Sequence, residues 1–200
     1  MVSKTRDKLI EVARQLFANK GIENTTMSDI ANASDKGRRT IYTYFKNKRE
    51  IYNAILERES ERLVQRMRQI ATSDLPPVDK AEKFILERFQ VVRTDEKGSM
   101  TEKLRSIFNL DLNRIERIRK LALVKENEIL KDILEQGIRS GDFDARQAKR
   151  FPSTLVIVMQ GMYYSYVNTN FDNIGLKPQG LEQKIAEFLV EGLKIKQIKQ

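Results

Sequence analysis

The chain of 200 residues contains no cysteine and no histidine. Without cysteine there is no disulfide framework, no zinc–thiolate site and no catalytic thiol, and a reducing compartment suits such a chain. Without histidine the commonest general base and metal ligand is missing. Strand-like alternation of any length, internal repeats and low-complexity tracts are missing as well. The longest apolar-rich run, Leu155 to Val167, is broken by Gln160 and is too short to span a bilayer. The start, MVSKTRDKLIEVARQLF, is charged and amphipathic, unlike a signal peptide. Asp142 and Asp144 lie in a turn-like GDFD, with no nucleophile–base constellation around them. These absences point away from an enzyme, a metal site, a bound cofactor and a membrane partner. A cytoplasmic protein is the expectation.

What is present is helix, charge and a fair share of apolar residues. Apolar residues make up 40% and charged residues 32%, the balance of a globular protein with a real core. The net charge is +9. Residues 1–50 carry 11 Lys/Arg against 6 Asp/Glu, so a quarter of the chain holds over half of the excess. A basic surface concentrated in this way makes nucleic acid the expected partner, ahead of an anionic membrane surface.

Leu9, Ile10, Ala13, Leu16 and Phe17 repeat with helical spacing, and Gly21 reads as a stop signal. Thr26 reads as an N-cap, with Asp29 three residues on, placed to reach back to the backbone. Met27, Ile30 and Ala31 then form a short apolar face. GRRTIYTYF reads as the next short helix, with Ile41 and Phe45 on one side. Asn47 caps a long helix from Lys48, with Ile51, Ile55 and Leu63 inward. Pro76 and Pro77 break the pattern, and Ala81, Phe84, Ile85, Phe89 and Val92 follow on one face. TDEKGS, from Thr94 to Ser99, reads as a loop. Leu104, Ile107, Phe108, Ile115 and Ile118 form one helical run, and Leu123, Leu130, Ile133 and Leu134 belong to the next helix. SGDFD reads as a turn, Pro152 as the first turn of a helix running to Val167, and NTNFDNIGLKPQG as a loop. Leu181, Ile185, Phe188, Leu189 and Leu193 close the chain with a last helix that takes in Gly192.

The stretch ASDKGRRTIYTYFKNK places Lys36, Arg38 and Arg39 at the start of a short helix. The helix dipole is positive at that end, so each cation there is disfavoured by about 0.3–1 kcal/mol. A solvated basic helix start is one account of these residues. The other is a helix-turn-helix, whose second helix enters the DNA major groove with its N-terminal residues against base edges. Charge misplaced for an isolated helix is well placed for that complex. Tyr42 and Tyr44 cannot both share the buried face of Ile41 and Phe45, and a phenol at the groove edge can donate to phosphate. Thr40 and Thr43 add small hydrogen-bonding groups, and Lys46 and Lys48 add charge just beyond. Lys48 stands at a helix start, where a phosphate can meet its ammonium and free backbone N–H groups.

The segments LIEVARQLFANKGIENTTMSDIANAS and TIYTYFKNKREIY resemble the TetR family of transcriptional regulators over about the first 60 residues. The matching positions are Ala13, Phe17, Gly21, Thr25, Thr26, Ile30, Ala31, Thr40, Tyr42, Phe45 and Lys48. One departure stands in the turn. The family pattern Ala-Gly-Val-Ser is replaced by Ser34, Asp35, Lys36 and Gly37. Asp tolerates the left-handed backbone that Gly would supply, and the Lys36 stem can pack while its amine stays in solvent.

The resemblance implies an all-α protein: a helix-turn-helix DNA-binding domain over residues 1–46, with the motif at about 26–45, then a helical domain over 47–200 that binds an effector and dimerises. The expected DNA-facing residues are Thr26, Ser28, Lys36, Gly37, Arg38, Arg39, Thr40, Tyr42, Thr43, Tyr44, Lys46 and Lys48. It further implies a ligand-released repressor of a double-stranded operator, working as a homodimer through its last two helices. The helix from Pro152 is apolar nearly all round, which fits burial on two sides. Gly161 and Gly192 are small enough for close helix approach. Candidate effector-binding residues are Phe84, Phe108, Asp111, Gln160, Tyr163 and Tyr164, polar groups and aromatics on apolar walls. The same residues also read as core. The alternative function is a sequence-tolerant architectural DNA binder without an effector.

Overall fold

The computed structural model describes residues 2–94, 112–167, 171, 175 and 180–195. Among them the structure is helical: α1 Val2–Lys20, α2 Met27–Ala33, α3 Arg38–Tyr44, α4 Lys48–Thr72, α5 Pro77–Thr94, α6 Leu112–Ser140, α7 Ala145–Val167 and α8 Leu181–Glu191. No strand appears among the described residues, only a bridge between Phe143 and Lys194.

The chain divides into two compact units. The first runs to Arg62 and takes in the N-terminal part of α6, to Lys120; the second comprises the rest. In the first unit α1 ends at Gly21, whose φ of +80° is the conformation a side chain resists. Its buried stripe is Leu9, Ile10, Ala13 and Phe17, and Ile30 of α2, Ile41 of α3 and Ile51 of α4 are fully buried in the same unit. Spacing of three and four residues produces such a stripe on each helix. Arg62 of α4 reaches Glu11 of α1 at 3.5 Å, an ion pair at the surface of this core.

The second unit has its own apolar core, built around Met67, Phe84, Ile85, Phe89, Leu130, Ile133 and Phe143. Pro77 opens α5 at the position where its missing N–H leaves no gap. Gln136 of α6 ties three elements together: it accepts from Lys80 Nζ at 2.7 Å and donates to the Ala71 carbonyl near the end of α4 at 3.3 Å.

Two boundaries differ from the sequence expectation. Ile115, Ile118, Leu123 and Leu130 belong to a single helix, α6, not to two. No glycine or proline interrupts it before Gly137. The helix expected to start at Pro152 starts at Ala145, and Pro152 lies inside it. Asp144 provides the cap instead: its Oδ1 accepts from the Gln147 N–H at 2.9 Å and its carbonyl from the Ala148 N–H at 2.9 Å. Capping decides the start, and the helix absorbs the one hydrogen bond that proline cannot donate. Gly192, expected within the last helix, is its C-cap.

A candidate nucleic-acid interface

The site is assembled from α2, the turn after it, α3 and the start of α4. α2 begins with a reciprocal cap. The Asp29 N–H donates to Thr26 Oγ1 at 3.0 Å, and the Thr26 N–H donates to Asp29 Oδ2 at 2.8 Å. The backbone hydrogen bond from Thr26 is the main reason the Asp29 carboxyl is held below the ordinary carboxylate range. Buried Thr25 donates its hydroxyl to the Gly21 carbonyl at 2.8 Å and fixes the approach from α1.

The turn between α2 and α3 closes as a Schellman motif. Asp35 N–H donates to the Asn32 carbonyl at 3.1 Å, and Lys36 N–H reaches back to the Ala31 carbonyl at 2.9 Å. The residue between cap and return must be left-handed, and Asp35 is, at φ 54°. Glycine usually occupies that place; Asp35 manages it as a short polar residue and meets Lys8 of α1 at 3.0 Å. Buried Ser34 donates to the Ile30 carbonyl at 2.7 Å, so no polar group is stranded at the turn. Lys36 is half-buried.

α3 follows from Gly37, an N-cap with no side chain to give, and its first turn contains no acid. Ile41, fully buried, and Phe45, 3% exposed, anchor it to the core. The opposite side carries Arg38, Arg39, Tyr42 and Thr43, all exposed, with Thr40 and Tyr44 half-buried at its flanks. The Arg38 guanidinium carbon lies 5.9 Å from the centre of the Tyr42 ring. Thr43 turns its hydroxyl to the Arg39 carbonyl at 3.2 Å.

The entry to α4 is capped by Asn47, whose Oδ1 accepts from Glu50 N–H at 3.0 Å, while Glu50 Oε2 accepts from Lys46 N–H at 2.8 Å. Lys48 points its ammonium at the α1–α2 connection, donating to the carbonyls of Ile22 at 2.6 Å and Glu23 at 3.3 Å. Partial burial lowers its pKa from the ordinary lysine value, against the pull of Glu23 and Asp29. Thr26 is exposed and Ser28 half-exposed at the start of α2, and Lys46 is exposed just past α3. Sequence reading missed Arg6, whose guanidinium lies 5.4 Å from the Phe45 ring centre. No local spacing signals a contact between residues so far apart.

Of the proposed effector residues, Phe84, Gln160, Tyr163 and Tyr164 belong to the second unit and are not all buried in its core. Phe84 is buried in its core and Tyr163 packs against the same cluster. Gln160 and Tyr164 of α7 are exposed, Tyr164 by 63%. Phe108 and Asp111 lie outside the described residues. A polar pair that sequence reading passed over is there as well. Glu126 of α6 is buried, with Arg88 of α5 2.9 Å from its carboxylate. Burial pushes its pKa up, and Arg88 offsets this only in part. Glu126 falls on the stripe of Ile129, Leu130 and Ile133, the same signal that singled out Asp111.

Residues 9–55 match the family described as bacterial regulatory proteins, tetR family. The HTH-type transcriptional repressor KstR2 of Mycobacterium tuberculosis is 26% identical over 151 residues, which span 71% of this chain and 70% of that protein. A TetR/AcrR-family transcriptional regulator from Thermobifida fusca superimposes with a TM-score of 0.68 at 21% identity, over 95% of this chain and 98% of that one. The transcriptional regulator FadR of Bacillus subtilis, solved in complex with stearoyl-CoA, gives a TM-score of 0.60 at 23% identity, over 93% and 98%. A capped α2, a closed turn and a basic, aromatic outer face on α3 make a helix-turn-helix, and the segment that carries it, residues 9–55, matches the tetR family of bacterial regulatory proteins.

Proposed function

We propose that the protein is a homodimeric repressor that leaves its operator when a small molecule binds the second unit. The observation that carries this reading is the outer face of α3. Three side chains able to donate to DNA, Arg38, Arg39 and Tyr42, lie exposed on a helix whose other side is locked into the core. Residues 1–46 read DNA, and 47–200 dimerise and hold the effector. In a two-fold dimer the two α3 helices meet successive major grooves about 34–36 Å apart. No described helix is long and apolar enough to cross a membrane. The partner in this reading is double-stranded DNA.

Dimerisation through α7 and α8 is supported by apolar side chains left outside on both. Ile157 is 68% exposed, Tyr164 63% and Phe188 79%. Large apolar groups exposed on both helices fit an interaction surface. For the effector, FadR of Bacillus subtilis offers a precedent for a small molecule held in this fold. Phe84 and Tyr163 are the members of the expected set that already face the interior of the second unit. The release mechanism is a population shift, and turning 99:1 bound-competent into 1:99 needs an effector preference of about 10⁴-fold.

The test begins with duplexes selected from a random library by the purified protein. Specific binding should exceed binding to scrambled DNA by about 10³-fold or more. A ratio near unity would convert the protein into a sequence-tolerant architectural binder. Sedimentation at micromolar concentration should give a dimer for the wild type and a folded monomer for Phe188→Asp.

A further inference from the structure

Arg38 and Arg39 follow each other on α3, both exposed, with Tyr42 one turn on from each, and it is the Arg38 guanidinium that lies over the ring. The residue four along from Arg38 is Tyr42, and the guanidinium carbon sits 5.9 Å from its ring centre. The residue four along from Arg39 is Thr43, whose hydroxyl is occupied with the Arg39 carbonyl at 3.2 Å. Tyr42 is 44% exposed, so its ring is an open face and not a core element.

We propose that Tyr42 is a positioning residue for Arg38, and that Arg38 rather than Arg39 reads a guanine in each half-site. The inference rests on the DNA-binding reading above and names the residue pair that performs it. A guanidinium on a long stem gives up many rotamers on binding, and the loss weakens every contact made by an unplaced arginine. A ring beneath it removes part of that freedom in advance. A guanidinium over a ring face uses none of its N–H groups there, which leaves them for bidentate pairing with guanine O6 and N7. With no acid in the first turn of α3, no carboxylate there competes for that edge. Arg39, without a ring, is left to a phosphate.

The experiment uses full-length protein, the duplex it selects, and a complete set of single-base-pair variants of that duplex. Arg38→Ala should cut discrimination at one base pair per half-site by about five- to 150-fold. Tyr42→Leu and Tyr42→Gln should relax the same base pair by about two- to five-fold and add nothing once Arg38 is alanine. Tyr42→Phe keeps the ring and should restore the preference at that base pair, whatever uniform affinity its lost hydroxyl costs. Arg39→Ala should weaken all duplexes alike. Tyr42 variants that lower affinity uniformly, or Arg39→Ala relaxing a single base pair in place of Arg38→Ala, overturn the proposal. A wild type without preference among the variants would defeat the DNA-reading function itself, a different failure.

Discussion

The ammonium of Lys48 lies 2.6 Å from the carbonyl oxygen of Ile22, across a gap of 26 residues. The start of α4 is thereby tied to the connection between α1 and α2. A lysine at a helix start beside a helix proposed to read DNA invites assignment to phosphate alone, but here its ammonium also braces the free protein.

The two tasks separate experimentally. Lys48→Ala should lower the stability of DNA-free protein by about 1 kcal/mol, the usual worth of such a hydrogen bond with its partners half in water. The urea midpoint reads it. A phosphate contact shows itself differently, as a salt slope shallower by about 2 per dimer. An unchanged midpoint would mean that the bonds to Ile22 and Glu23 carry no weight.

Asp35 occupies a left-handed position at φ 54°. Asp35→Val should destabilise the first unit by about 1–2 kcal/mol, because a β-branched residue resists that backbone and cannot return a hydrogen bond. Asp35→Gly should be tolerated, losing only an exposed ion pair with Lys8. Thermal midpoints of the two variants, compared with Asp35→Asn, check the order.

Gly137 sits inside α6, where glycine is costly by about 1 kcal/mol relative to alanine. A Cβ there would overlap the ring of Phe143, itself 2% exposed. Gly137→Ala should therefore destabilise by about 1–3 kcal/mol in spite of its better helix propensity. Adding Phe143→Leu should recover part of the loss. A stabilised single variant would mean that the ring moves aside freely.

Glu126 gives a pH dependence of a definite sign. Its folded pKa lies above the unfolded 4.5, so the folded state takes up the proton first. Stability contributed by the neutral acid is present below 4.5 and is lost as pH rises through the folded value. Glu126→Gln should flatten stability against pH in that window. Urea midpoints from pH 4 upward for both proteins measure it, and parallel curves would remove Glu126 from the account.

The local devices were legible from sequence, and the long-range ones were not. Thr26 with Asp29, and Asn47 with Glu50, are three residues apart, and caps are written at that distance. The tolerance of Asp35 for its turn follows from its own chemistry. Pro152 misled because a helix-start signal at proline competes with a better cap at Asp144 that also looked like a turn. Phe188 reads as one more apolar residue of the closing helix, yet it stands outside, because periodicity cannot say which of two apolar sides meets this chain. Arg6 on Phe45 and Lys48 on Ile22 depend on helices meeting, which spacing does not encode.

The N-cap of α3 has wider consequences. Seven residues make fewer than two full turns, Gly37 offers no side-chain cap, and the first turn is basic with no acid. Such a segment has no stability of its own in water. It is helical because Ile41 and Phe45 are held from behind. Its amides should therefore exchange with solvent by small local openings well before the rest of the first unit unfolds. DNA brings negative charge to the end that lacks it, so an operator should slow that exchange and salt should restore it. Reading a sequence and completing the recognition helix would then be one event, timed by the same proton exchange.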